Sequence, residues 1–257
     1  MNNTIPIAEI FGPTIQGEGY LIGQRTMFIR TGYCDGAGSN GWCTWCDSMF
    51  AVDPKYKKEW MDLTPKEIVD DLLSKSTFCR NVTISGGNPA MHDLEDLVAR
   101  LHGHGYTVNI ETQGTISKPW LASCDIVTVS PKPPSSGSDC NTGRLAKFIS
   151  NLRPNLPSNI IVVIKVVVDP AFVGDYIFAK DILFTYDHEP HKYISVVTHP
   201  NDTREELLKR QSLLLRKKEL LSQIAQLETP DRDTLIPEPI SAIGRGLEAG
   251  AEKLPER

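Results

Sequence analysis

Three of the six cysteines fall in one short stretch, "YCDGAGSNGWCTWCDS" (33–48): Cys34, Cys43 and Cys46. Cys43 and Cys46 can reach one metal centre from a single tight turn. Gly36, Gly38 and Gly41 let the intervening backbone bend around a bulky inorganic core. No further cysteine or histidine follows within the next thirty residues. A structural zinc site takes four protein ligands and is closed. An iron–sulfur cubane normally takes four cysteines, so three thiolates leave one iron open to substrate or cofactor. Spacing alone leaves both open: such a cluster, or a zinc loop completed by a remote Cys79 or His92. Cys79, Cys124 and Cys140 share no ligand spacing, and Cys79 and Cys124 read as buried thiols.

Other residue types point to a site elsewhere along the chain. Gly86–Gly87 follows an apolar strand, where bare backbone can approach a ligand. Glu111 ends a strand that is otherwise apolar and is costly to bury without a partner. That partner is either a ligand hydroxyl or ammonium, or a lysine or arginine of the chain. Gln16–Gly17–Glu18–Gly19 reads as a turn between strands. Ser48, two residues after Cys46, reads on its own as a turn residue.

These residues need a scaffold, and the hydrophobic pattern supplies one. β-rich runs recur at Ile5–Phe11, Thr26–Thr31, Val82–Ser85, Tyr106–Ile110, Ile126–Ser130, Ile160–Val168 and Tyr193–Val197. Helical patterns lie between several of them. Thr64–Pro65–Lys66–Glu67 is a capping-box start. Leu94, Leu97, Val98 and Leu101 follow core-facing helical spacing, closed by Gly103 and Gly105. Strand–helix alternation predicts an α/β fold with a mainly parallel sheet and its site at the strand carboxyl ends. Residues 131–143 form a Pro/Gly/Ser loop. Residues 203–228 read as one long helix whose leucines 207, 208, 214, 215 and 221 suit a docking face on the core, or else a coiled-coil dimer seam. A Pro/Gly-rich tail follows.

Bulk properties narrow the function classes. The 257 residues allow one large domain or two small ones, and 40% hydrophobic with 23% charged residues is ordinary for a globular enzyme. A net charge of -5 does not suggest a nucleic-acid partner. The longest apolar run, "NIIVVIKVVV", is broken by Lys165 and is too short to span a bilayer. The N-terminus lacks a signal-peptide pattern, which predicts a cytoplasmic protein whose clustered cysteines bind metal or do chemistry.

The cysteine loop resembles the signature of radical S-adenosylmethionine enzymes, with eight residues between the first two cysteines where the usual signature has three. Six motifs in order, "EIFGPTIQGEG" (9–19), "FIRTGYC" (28–34), "WCDS" (45–48), "TISGGNPA" (83–90), "ETQGT" (111–115) and "SPKPPSS" (130–136), resemble the 7-carboxy-7-deazaguanine synthase family. The resemblance implies a partial (β/α) barrel over residues 1–200, followed by the helix and tail of 201–257. It implies a 4Fe–4S cluster on Cys34, Cys43 and Cys46. S-adenosylmethionine would lie against Trp45, Asp47, Gly86, Gly87, Asn88, Glu111, Ser130, Pro131 and Lys132, with Asn88 standing where most of the superfamily has Glu. Ser48 would ligate Mg²⁺. Ile15, Gln16, Gly17, Arg30 and Ser85 would hold 6-carboxy-5,6,7,8-tetrahydropterin, with Arg30 forking onto its carboxylate. No catalytic side chain is expected beyond these, because the chemistry is cofactor-centred. A radical would take a hydrogen from the carbon bearing the carboxylate, the ring would contract, and ammonia would leave. An electron donor such as flavodoxin or ferredoxin and a homodimer are implied too. Two rivals remain at this point: a glycyl-radical-enzyme activating protein, and a non-enzymatic zinc-stabilised interaction module.

Overall fold

The structure, a computed structural model, describes residues 4–36, 41–137, 141–153, 160–186, 188–189, 191–199 and 202–228, with side chains to residue 219. Cys140 and the tail beyond residue 228 lie outside the described residues. Eight strands form one sheet: β1 (Ile5–Ile15), β2 (Arg25–Thr31), β3 (Met61–Leu63), β4 (Asn81–Gly86), β5 (Thr107–Thr112), β6 (Ile126–Val129), β7 (Ile161–Val168) and β8 (His191–Val196). Their spatial order is β3-β1-β2-β4-β5-β6-β7-β8. From β2 to β8 every neighbouring pair is parallel, while β1 pairs antiparallel with both β2 and β3. Among the described residues the sheet has two free edges, so this is an open α/β sheet, as a partial barrel requires.

Most of the crossovers carry helices: α1 (Met49–Val52) and α2 (Pro65–Lys75) before β4, α3 (Glu95–Gly103) before β5, α4 (Thr142–Leu152) before β7 and α5 (Val173–Thr185) before β8. The β5–β6 crossover instead has a 3-10 turn, Pro119–Ser123, and its buried Trp120 and Leu121 fill the space a helix would occupy. Thr64 caps α2 with a complete capping box. Leu94, Leu97, Val98 and Leu101 are fully buried.

Alternation along each strand sorts the side chains into two faces. Met27 and Ile29, Val82 and Ile84, Val108 and Ile110, Val127 and Val129, and the even-numbered residues 162–168 join the helices in one aliphatic core. Their neighbours face inward and are mostly polar. At the floor of the inner face, Thr26 Oγ1 and Thr83 Oγ1 lie 3.1 Å apart, Asn109 Nδ2 donates to Thr83 Oγ1 at 3.4 Å, and Thr128 Oγ1 donates to Asn109 Oδ1 at 3.1 Å.

The β1–β2 hairpin crosses this inner face. A register break between Phe11 and Thr14 bends β1. The hairpin's 3-10 turn, Gly19–Leu21, then packs Leu21 with Ile126 and Val163, and Tyr20 lies edge-on to His191. Helix α6 (Arg204–Glu228) follows the last strand. Leu214 docks into the core, while Leu208, Leu213 and Leu215 remain exposed. Among the described residues no helix is long and apolar enough to cross a membrane.

Candidate functional site

A cavity of about 290 Å³ opens at the carboxyl ends of the parallel strands, where α/β sheets bind ligands. Each parallel strand delivers one or two residues to it: Phe28 and Arg30 from β2, Ser85 and Gly86 from β4, Glu111 and Thr112 from β5, Ser130 just after β6, Lys165 and Val167 from β7, and Val197 and Thr198 just after β8. The hairpin turn adds Gln16 and Glu18, and the cysteine loop adds Cys34, Trp45, Asp47 and Ser48.

The glycines fix how closely the loop approaches. Gly86 has φ 110°, in the region that favours glycine. A Cβ on Gly87 would sit 1.8 Å from the carbonyl oxygen of Tyr33. With no side chain there, Gly87 N–H donates to Thr31 O at 3.1 Å and Asn88 N–H to Tyr33 O at 2.9 Å. The β4 terminus is thereby stitched to the residue before Cys34.

Burial pushes the Cys34 thiol up to about 12, against the pull of the Gly36 N–H, with Asp35 adding to the rise. Burial raises Cys43 and Cys46 in the same direction, with Lys132 opposing. Three neighbouring, desolvated thiols are poor anions by themselves. Among the described residues no three His, Cys, Asp or Glu side chains form a group that could hold a metal ion, Cys34, Cys43 and Cys46 included. Lys132 lies over the Trp45 ring at 5.9 Å.

At the inner end of the cavity, Lys165 is nearly inaccessible and donates to Glu111 Oε2 at 3.0 Å and Glu18 Oε2 at 3.1 Å. Burial alone lowers its proton affinity, but the two carboxylates more than reverse this and hold it above the usual lysine range. Gln16 Nε2 lies 3.4 Å from Glu111 Oε1. Glu111 therefore has its partner within the chain. At the other end, Arg30 is oriented by Glu9 (Nε to Oε1, 3.2 Å) and Ser48 (Nη1 to Oγ, 3.3 Å), with Phe11 and Phe50 beside its plane. Ser48 Oγ donates to Asp47 Oδ1 at 3.0 Å.

The structure brings together Gln16, Arg30, Cys34, Trp45, Asp47, Ser48, Ser85, Gly86, Gly87, Glu111, Ser130 and Lys132 on this one cavity. Ile15 is largely exposed, and Gly17 faces a neighbouring groove. Pro131 is buried and off the cavity lining. Asn88 is buried behind it: Oδ1 accepts from Ala90 N–H and Thr112 Oγ1, and Nδ2 donates to Asp35 and Thr115. Sequence reasoning missed Lys165 as a site residue, though a lone charge at an inward position of an apolar strand was its signal. Gln113 lay within the "ETQGT" motif without being singled out, and Thr198 gave no comparable signal.

No protein-family model matches the chain. A curated protein from Bacillus cereus is 46% identical over 150 residues, which is 58% of this chain and 61% of that protein. One from Bacillus subtilis is 43% identical over 158 residues, 60% of this chain and 63% of that protein. Both carry one name. The similarity is to 7-carboxy-7-deazaguanine synthases. The chain spans about three fifths of the length of these synthases. The crystal structure of QueE from Escherichia coli covers 76% of this chain and 95% of its own, at 20% identity and TM-score 0.49.

Proposed function

We propose that this chain is a radical S-adenosylmethionine enzyme, a carbon–nitrogen lyase converting 6-carboxy-5,6,7,8-tetrahydropterin to 7-carboxy-7-deazaguanine with loss of ammonia, on the path to queuosine and related deazapurines. The observation that carries this is convergence: Cys34, Trp45, Asp47 and Ser48 of the cysteine loop, the Gly86–Gly87 strand end, Arg30, Ser85 and Gln16 share one cavity. Sequence similarity to 7-carboxy-7-deazaguanine synthases supports the same assignment.

Cys34, Cys43 and Cys46 would hold a 4Fe–4S cluster, and S-adenosylmethionine would lie along Gly86–Gly87 toward Ser130, Lys132, Trp45 and Asp47. Bound there, the two would supply hydrogen-atom abstraction at the carbon bearing the substrate carboxylate. The chain's own residues bind and orient. Arg30, already aimed by Glu9, would pair with that carboxylate, and Ser48 beside it would ligate Mg²⁺ together with substrate and water. Gln16 and the neighbouring backbone would read the pterin edge. Lys165 keeps Glu111 and Glu18 paired, while Phe28, Val167 and Val197 exclude water. We further assign a flavodoxin- or ferredoxin-type electron donor, a homodimer and a cytoplasmic setting.

The test is anaerobic reconstitution followed by assay of wild type, Cys43→Ala and Arg30→Ala. Wild type should bind about four irons and form the deazaguanine product. Cys43→Ala should lose both the cluster and S-adenosylmethionine cleavage. Arg30→Ala should lose roughly 30-fold to several-thousand-fold in pterin binding, the equivalent of about 2–5 kcal/mol, with S-adenosylmethionine binding retained. Iron-loaded wild type that makes no such product overturns the assignment.

A further inference from the structure

The cysteine loop is long for its task, and two carboxylates outside the ligand set grip its ends. At the near end, Asp35 follows Cys34 directly. Its Oδ1 accepts from Asn88 Nδ2 at 2.7 Å and from Gln113 Nε2, and its Oδ2 accepts from Thr115 Oγ1. Two of those donors are buried: Asn88 is 1% exposed and Gln113 8%. Gln113 Nε2 also donates to Gly36 O at 3.1 Å. One carboxylate thus ties the start of the loop to the ends of β4 and β5.

At the far end, the grip runs through Ser135. Thr44 Oγ1 donates to Ser135 O at 2.6 Å, and Trp45 Nε1 donates to Ser135 Oγ at 2.9 Å. Ser135 in turn donates its hydroxyl to Asp175 Oδ2 at 2.5 Å and its N–H to Asp175 Oδ1 at 2.8 Å. Asp175, near the start of α5, is fully buried and also accepts from Asp169 N–H.

We propose that Asp35 and Asp175 are positioning residues that hold the two ends of the cysteine loop, so that Cys34 and the Cys43–Cys46 turn close on a cluster from anchored backbone and keep it. The proposal rests on the cluster assignment above. A longer loop costs more entropy to close, and eight residues separate Cys34 from Cys43. Charge-assisted hydrogen bonds to Asp35 at the near end, and at the far end the bonds to a Ser135 that Asp175 fixes, offset that cost.

The grip also accounts for the amide at position 88. With its Oδ1 held by Ala90 and Thr112, the other arm of residue 88 must face Asp35. A carboxylate there would set two like charges within hydrogen-bond distance. An acid at position 35 therefore goes with an amide at 88.

The test uses the full chain, loaded with iron and sulfide, and reads the rate at which an iron chelator strips the cluster. Asp35→Asn and Ser135→Ala should each lose the cluster about 10- to 100-fold faster, the range seen when groups that orient metal ligands are removed. The metal-free variants should keep wild-type melting temperature to within a few degrees. The swap Asp35→Asn with Asn88→Asp restores an acid–amide pair and should recover most of the retention. Stripping rates equal to wild type in both single variants overturn the proposal. So does a swap that behaves no better than Asp35→Asn alone. Wild type that takes up no iron overturns the cluster assignment itself, and the grip with it.

Discussion

The two faces of the sheet are built on opposite terms. The outer face is aliphatic from β2 to β7 and meets α2 to α5 in one continuous core. The inner face is polar in layers: a hydrogen-bonded floor of Thr26, Thr83, Asn109 and Thr128, and above it the Lys165–Glu18–Glu111 ion triad. Adjacent residues on one strand therefore do different jobs. Stability on the outer face comes from area removed from water. The inner face can stay polar because its lower layer satisfies itself, which leaves the upper layer to meet a ligand.

Breaking the ion triad should have the largest effect. Lys165→Met leaves two carboxylates without their shared cation and should cost about 3–5 kcal/mol of stability, read as a lower urea midpoint. A midpoint within error of wild type would show that the inner face tolerates net charge. Next comes the outer face: Ile84→Ala should cost about 3 kcal/mol, within the range of about 2–5 for such truncations. Its neighbour Thr83→Val changes little volume but removes the bond from Asn109 and the link to Thr26, and should cost about 1–2 kcal/mol. If Thr83→Val proved the costlier of the two, the floor and not the aliphatic core would dominate β4.

The smallest effect is a pH dependence at the edge of the cysteine loop. His92 Nε2 lies 2.7 Å from Gly32 O, and burial lowers the affinity of its ring for a proton. Below the ordinary histidine value of about 6.5, the unfolded chain takes up a proton that the folded chain resists. Stability should therefore fall as pH drops through that value, toward the lower folded value, by no more than about 1.4 kcal/mol per pH unit. His92→Gln should show a shallower fall between about pH 7.5 and pH 5.5. Equal slopes in the two proteins would remove His92 as the cause.

The outer face was the legible one. Alternation placed β4, β6 and β7 to within a residue or two, and the 94, 97, 98, 101 spacing found the buried side of α3. The capping box marked the start of α2 for a local reason, since both partners lie within four residues. The motifs located most of the cavity lining. What stayed hidden were contacts between residues far apart in sequence. Glu111 was read as needing a partner, but nothing in the strand named Lys165 over a chain ligand or a bound one. Asp35 carries no sequence signal of its role, because its donors Asn88, Gln113 and Thr115 lie just past two other strand ends. β3 is three residues long and carries no period at all. The leucines of α6 gave the helix but not its rotation, and only tertiary packing chose Leu214 over Leu213 and Leu215.

The hairpin that crosses the inner face also sets an order of events. The ion pair from Lys165 to Glu18 joins residues 147 apart in sequence, and that from Lys165 to Glu111 joins residues 54 apart. Closing loops of that length costs entropy that local contacts do not. During synthesis the turn at residues 16–24 is made early, yet its seat on β7 exists only after residue 165 has left the ribosome. The first segment of the chain must therefore wait for one of the later strands. A nascent chain ending before β7 should hold β1 to β6 without a finished cavity.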